Sequence, residues 1–84
     1  MKILEFSAKW CMPCNMLAPT LDEIEKELNI EIIRIDIDEN MEETVKYAVS
    51  VVPTLVLLKD EKVISKISGN LPKQEIIDWI KGNN

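Results

Sequence analysis

Trp10-Cys11-Met12-Pro13-Cys14 constrains this chain more than any other stretch, because it holds both cysteines, two residues apart. Residues 2–6 before it are apolar-rich and read as a strand. After it, apolar residues recur at Cys14, Leu17, Leu21, Ile24 and Leu28, one face of a helix expected from about Cys11 to Leu28. The cysteines therefore fall where a strand ends and a helix begins. The first helical turn has N–H groups without intrahelical partners and carries the positive end of the dipole. Both favour a thiolate, the nucleophile of disulfide exchange. Cys11, at the helix mouth, gains most. Cys14, one turn on and on the apolar stripe, is expected to be the more buried and less acidic. Pro13 suits a first turn, where its missing N–H costs nothing.

Other uses of C-x-x-C fit less well. A tetrahedral zinc site needs four ligands, and the chain has no His and no further Cys. A structural disulfide would close too small a loop to stabilise much. A redox pair is the reading that suits a strand followed by a helix, and it needs no metal or bound organic cofactor.

At 84 residues the chain makes one domain with one core, expected over residues 1–84. A chain this short buries little over ~60% of its unfolded surface. Its net charge of −5, with Lys and Arg scattered, argues against nucleic acid. No apolar run is long enough to span a membrane. Met1-Lys2 leads straight into a strand without a signal-like leader. The expected compartment is the cytoplasm, where a paired C-x-x-C is more often catalytic than structural.

Pro19, inside the first helix, removes one backbone hydrogen bond and should kink it; Asn29 ends it. Residues 30–37 hold five isoleucines and give the strongest strand signal. Asp38-Glu39 is a turn. Asn40 to Glu43 looks like a capping box, with Asn40 as cap and Glu43 reaching back. The short helix it opens runs to about Ala48, with Met41, Val45 and Ala48 facing inward. Residues 55–58 read as a strand buried on both faces. The polar turn 59–62 and residues 63–67 complete a hairpin. Pro72 opens the last helix, with Ile76, Ile77 and Ile80 inward, and Gly82 ends it. Trp79 reads as packing. The order β-α-β-α-β-β-α, with a right-handed first crossover, implies a four-stranded mixed sheet with helices on both faces.

Residues Phe6 to Cys14, then Met16 to Pro19, Val52-Pro53-Thr54 and Gly69, agree in order and spacing with the thioredoxin family, and the chain resembles it from Lys2 to the C-terminus. It resembles the short, glutaredoxin-sized members, since thioredoxins usually begin with an additional strand and helix. The central dipeptide is Met-Pro where thioredoxin has Gly-Pro; glutaredoxins usually carry a Pro-Tyr type, so the proline beside Cys14 favours thioredoxin.

The resemblance implies an α/β thioredoxin-like fold and a protein-disulfide reductase working as a monomer. Its substrates would be disulfide-containing proteins, and its electrons would come from a thioredoxin reductase or glutathione. Cys11 would attack and Cys14 resolve. Pro53 matches the family's cis-proline, although a trans proline at a strand start is the commoner state. Val52 would offer its backbone to an extended substrate. Trp10, Met12 and Pro13 would flank the substrate, Trp10 also fitting simple packing, and Gly69 would leave a partner unobstructed, though it also fits a plain turn. Glu5 occupies the position of the family's buried acid, normally Asp, and would accept a proton from Cys14; a Glu at a strand edge would instead reach solvent. Arg34 falls where the family carries a lysine near that acid. Two further readings stand beside this one. A glutathione-dependent, glutaredoxin-type enzyme would need a cationic site that the sequence does not display. A non-catalytic docking module would not need an intact C-x-x-C.

Overall fold

A computed structural model describes all residues, Met1–Asn84. Strand β1 (Lys2–Ser7) is followed by α1 (Met12–Leu28), β2 (Glu31–Asp36), α2 (Met41–Lys46), β3 (Thr54–Lys59), β4 (Lys62–Ser68) and α3 (Lys73–Gly82). The four strands form one mixed sheet in the order β2-β1-β3-β4, with β1 parallel to β2 and antiparallel to β3. Element order and strand count match the sequence expectation.

β1 and β3 are central, so both their faces are covered. Their alternation sends Ile3, Leu55 and Leu57 to one side, where they pack with Leu17, Leu21 and Ile24 of α1 and Ile76, Ile77 and Ile80 of α3. Leu4, Phe6, Val56 and Leu58 point the other way and meet Ile35, Ile37, Tyr47 and Val49. The stripes read at helical spacing in α1 and α3 are the buried ones. Trp79 packs as expected, half-buried against the larger cluster, and its Nε1 donates to Ser65 Oγ at 2.9 Å.

Local choices explain the element ends. Helix α1 runs unbroken past Pro19 and stops at Asn29, whose φ of 51° is the left-handed cap conformation that Asn tolerates. The β3–β4 hairpin turns on Asp60 and Glu61, both at positive φ, the requirement of a two-residue turn matched to strand twist.

Helix α2 departs from expectation. Asn40 makes no side-chain cap bond; its Nδ2 donates to the Asp36 carbonyl at 3.0 Å, so no capping box forms. Met41 and Val45, expected inward, are 70% and 75% exposed. The physical reason is length. Six residues are too few to lay a stripe along the sheet, and the residues just past the helix, Tyr47 and Val49, cover that face instead. Ala48 takes a positive φ of 54° there, ending the helix rather than packing within it.

Candidate active site

The redox loop hangs between the end of β1 and the start of α1. Cys11 is not the first helical residue, as the sequence suggested, but the N-cap. Its extended backbone lets the Sγ accept the Cys14 N–H at 3.2 Å, the bond an N-cap oxygen would normally accept from the third helical residue. That N–H, with the dipole behind it, favours negative charge on the Cys11 sulfur. Pro13 sits in the first turn, where a missing donor is harmless.

Cys11 and Cys14 are joined as a disulfide, their Cα atoms 5.3 Å apart. The expected contrast in burial between them is absent, since Cys11 is 5% and Cys14 3% exposed. Ala8 packs with both cysteines, and Ile37 and Val52 close over them. A disulfide must bring the two sulfurs together, so in this state Cys11 shares the cover of Cys14.

Around the pair lies an exposed apolar rim. Trp10 and Met12 are 69% and 68% exposed, and Pro13 is exposed beside them. Trp10 is held by its edge, with Nε1 donating to Asp38 Oδ2 at 2.9 Å. Asp38 was read only as a turn residue; nothing in the sequence tied it to a tryptophan 28 residues earlier. Between Trp10 and the Val49–Val52 segment lies a groove of about 150 Å³, walled also by Ile37 and Thr44.

The Val52–Pro53 bond is cis. Val52 packs on the cysteine cluster, while Pro53 is fully buried. Thr54 ties the segment down, its Oγ1 donating to the Val51 carbonyl at 2.7 Å and lying 2.9 Å from Ser68 Oγ. Gly69 belongs to the same corner, its N–H donating to the Pro53 carbonyl at 2.9 Å. Its φ is +102°, and an added Cβ would meet only Leu71 at 4.0 Å. Backbone conformation, not crowding, requires the glycine.

Glu5 is buried at 1% exposure, on the same face of the sheet as α1. Oε1 accepts Arg34 Nε at 3.0 Å, and Oε2 has no partner within the protein. Burial pushes the carboxyl above its ordinary 4.5, a rise that the Arg34 hydrogen bond and charge oppose. The sequence-predicted residues thus divide into two groups. Trp10 through Cys14 with Val52, Pro53 and Gly69 gather at one end of the sheet. Glu5 and Arg34 face a cleft between α1 and β2 that includes Ala18, one turn beyond Cys14.

A sulfur pair that closes on itself at a helix mouth can open a partner's disulfide and then take its place. By that chemistry and by its fold this chain is a thiol–disulfide oxidoreductase. A family model described as thioredoxin matches residues 1–82. The thioredoxin of Bacillus subtilis is 42% identical over 80 residues, covering 93% of this chain and 77% of that protein. The thioredoxin of Listeria monocytogenes is 41% identical over 80 residues, with 93% and 78% covered. Among solved structures, Fasciola hepatica thioredoxin superposes with a TM-score of 0.90 at 32% identity, covering 98% of this chain and 79% of that one. A mutant thioredoxin from Halobacterium salinarum gives 0.92 at 32%, with 96% and 72% covered. The chain belongs to the thioredoxin family and is a disulfide reductase of that type.

Proposed function

We propose that the chain, working as a monomeric unit in the cytoplasm, reduces disulfides of protein substrates with Cys11 as the attacking and Cys14 as the resolving thiol. The observation that carries this is the Cys14 N–H on Cys11 Sγ at the mouth of α1, which favours the thiolate at Cys11 and not at Cys14. In the reduced protein the Cys11 thiolate attacks one sulfur of a substrate disulfide, and the other leaves as a thiolate. Cys14 then loses its proton and attacks Cys11 Sγ. The second substrate sulfur departs with the bonding electrons, and the Cys11–Cys14 disulfide remains. Trp10, Met12 and Pro13 offer the substrate an apolar rim, and its chain runs beside Val52, Pro53 and Gly69. Glu5 accepts the proton of Cys14; its carboxyl, raised by burial, titrates nearer the working pH, where such a base is most effective.

Electrons return from a thioredoxin reductase or from glutathione. Offering the oxidised protein NADPH with a thioredoxin reductase, or glutathione alone, separates the two donors. The division of roles is tested by trapping. Cys14→Ser should accumulate mixed disulfides with substrate and Cys11→Ser should not; equal capture by both overturns it.

A further inference from the structure

The sheet has two open edges, β2 and β4. An edge strand shows unpaired N–H and C=O groups and is a template for another strand. β4 is a poor template. It carries Lys62 and Lys66, and its register against β3 shifts between Leu57 and Leu58. Lysines and irregular register both deter pairing. β2 has neither device. It lies within residues 30–37, whose five isoleucines strongly favour a strand. Its pairing with β1 is regular from Glu31 to Asp36. Its one cation, Arg34, is drawn aside to Glu5.

Alternation sets the direction of each backbone group of β2. The Ile37 N–H donates to the Ser7 carbonyl at 2.9 Å, so residues 33, 35 and 37 turn theirs toward β1. Ile32, Arg34 and Asp36 turn theirs to the open side. Side chains from outside the strand reach both ends of that row. The Ile32 N–H donates to Glu25 Oε2 of α1 at 3.1 Å. The Asp36 carbonyl accepts Asn40 Nδ2 at 3.0 Å and the Glu39 N–H at 3.2 Å. Two donors fill a carbonyl oxygen. Between these caps the Arg34 step of the edge is left open.

The capped groups are the ones a second copy would need. Two β2 strands laid antiparallel about a two-fold axis at Arg34 set Ile32 of each copy opposite Asp36 of the other. The Ile32 N–H would then donate to the opposite Asp36 carbonyl, at both ends of the pair. This register uses every outward residue, and a shift either way leaves an end unpaired. It also sets Ile33 opposite Ile35, a β-branched cross-strand contact that favours pairing. Ile33 is 36% exposed and accessible for it. By composition, regularity and register the edge suits a copy of itself.

We propose that Glu25 and Asn40 are edge caps: by holding the Ile32 N–H and the Asp36 carbonyl they keep β2 from pairing with β2 of a second copy. This gives the Asn40 amide a use that the N-terminus of α2 does not, since it makes no cap bond there. The proposal does not depend on the redox reading of the cysteines.

Sedimentation velocity over a wide concentration range tests it, with reductant present so that no cysteine links two copies. The wild type should stay monomeric. Glu25→Ala combined with Asn40→Ala should self-associate at least about 10-fold more tightly, because each lost cap removes a competing hydrogen bond. Both sites are exposed, so the core is untouched. In the associated variant the Arg34 amide, open in the monomer, should exchange at least about 10-fold more slowly. Glu25→Gln keeps an acceptor oxygen without the charge and should remain monomeric. A dimeric wild type, a double variant that stays monomeric, or one that associates without protecting Arg34 overturns the proposal. So does Glu25→Gln associating as strongly as Glu25→Ala, which would place the effect in the charge. The wild type alone supplies a further check. After correction for intrinsic rates its Ile32 amide should exchange about 10-fold more slowly than its Arg34 amide. Equal rates would mean that Glu25 does not hold the edge.

Discussion

Helices α1 and α2 both follow a parallel strand and cover opposite faces of one sheet, yet they do unequal work. Helix α1 has 17 residues and buries Cys14, Leu17, Leu21 and Ile24 in a row. Helix α2 has six and buries none. The face under α1 and α3 holds a cluster of ten buried residues; the face under α2 holds four. The buried acid lies on the α1 side. A buried carboxylate persists where firm packing holds it and a cation meets it; the thick face supplies the packing and Arg34 the cation. The thin face carries no buried charge. Its helix presents apolar side chains to solvent near the groove beside Trp10, whose wall includes Thr44 of α2.

The comparison breaks most easily at Leu17. Leu17→Ala removes a fully buried side chain from the α1 stripe and should cost about 2–5 kcal/mol in urea unfolding. A loss below about 1 kcal/mol would mean the α1 face is no better packed than the α2 face. Tyr47 is the test on the other side. Its ring meets Phe6 at 5.9 Å between centroids, and Tyr47→Ala should cost about 1–3 kcal/mol. A loss matching that of Leu17→Ala would erase the contrast.

Glu5 sharpens it through pH. In the unfolded chain the carboxyl titrates near its ordinary value; in the folded chain burial raises it. The stability linked to Glu5 is therefore fully present below the unfolded value, is lost as pH rises through the folded value, and is level above it. Glu5→Gln removes that loss. It should be more stable than wild type near neutral pH by about 1–3 kcal/mol, the part of the desolvation penalty of the buried charge that Arg34 does not offset. The advantage should vanish below about pH 4, near the unfolded carboxyl value. Denaturant midpoints at both pH values check this, and a gain that persists in acid would locate the effect outside the charge.

The smallest effects belong to α2. Val45→Ala, at an exposed site, and Glu43→Gln, at a half-buried position outside the core, should each change stability by less than about 0.5 kcal/mol. A capping box through Glu43 would instead show as a loss of about 1 kcal/mol in that variant, by the same unfolding measurement.

These two helices also mark how far the sequence could be read. The stripe of α1 repeats over 17 residues, so its period was plain and its buried face was read correctly. Asn40 to Ala48 offers barely two turns, too few for a period to separate an inner from an outer face. Asn40 had two uses for its amide, and the fold chose the Asp36 carbonyl over the cap. The resemblance set Arg34 where the family carries a lysine near the acid, but no local spacing paired it with Glu5; the parallel register that sets residue 5 beside residue 34 made the ion pair. Asp38 could not be tied to Trp10 at all, because a contact between two loops leaves no local trace.

By itself the sequence determined the strand-loop-helix dithiol, the element order, and the apolar positions of α1, β3 and α3, since each follows from spacing along the chain. It also placed Glu5 in mid-strand between Leu4 and Phe6, where the family resemblance, rather than the spacing, favoured burial over a strand edge reaching solvent. Only the tertiary structure decided that Cys11 caps the helix, that both sulfurs share the cover of Val52 and Ile37, and that one Glu5 oxygen meets Arg34 while the other has no partner within the protein. Those are relations between segments tens of residues apart. Their geometry is fixed by how strands register and helices pack, which no local pattern records.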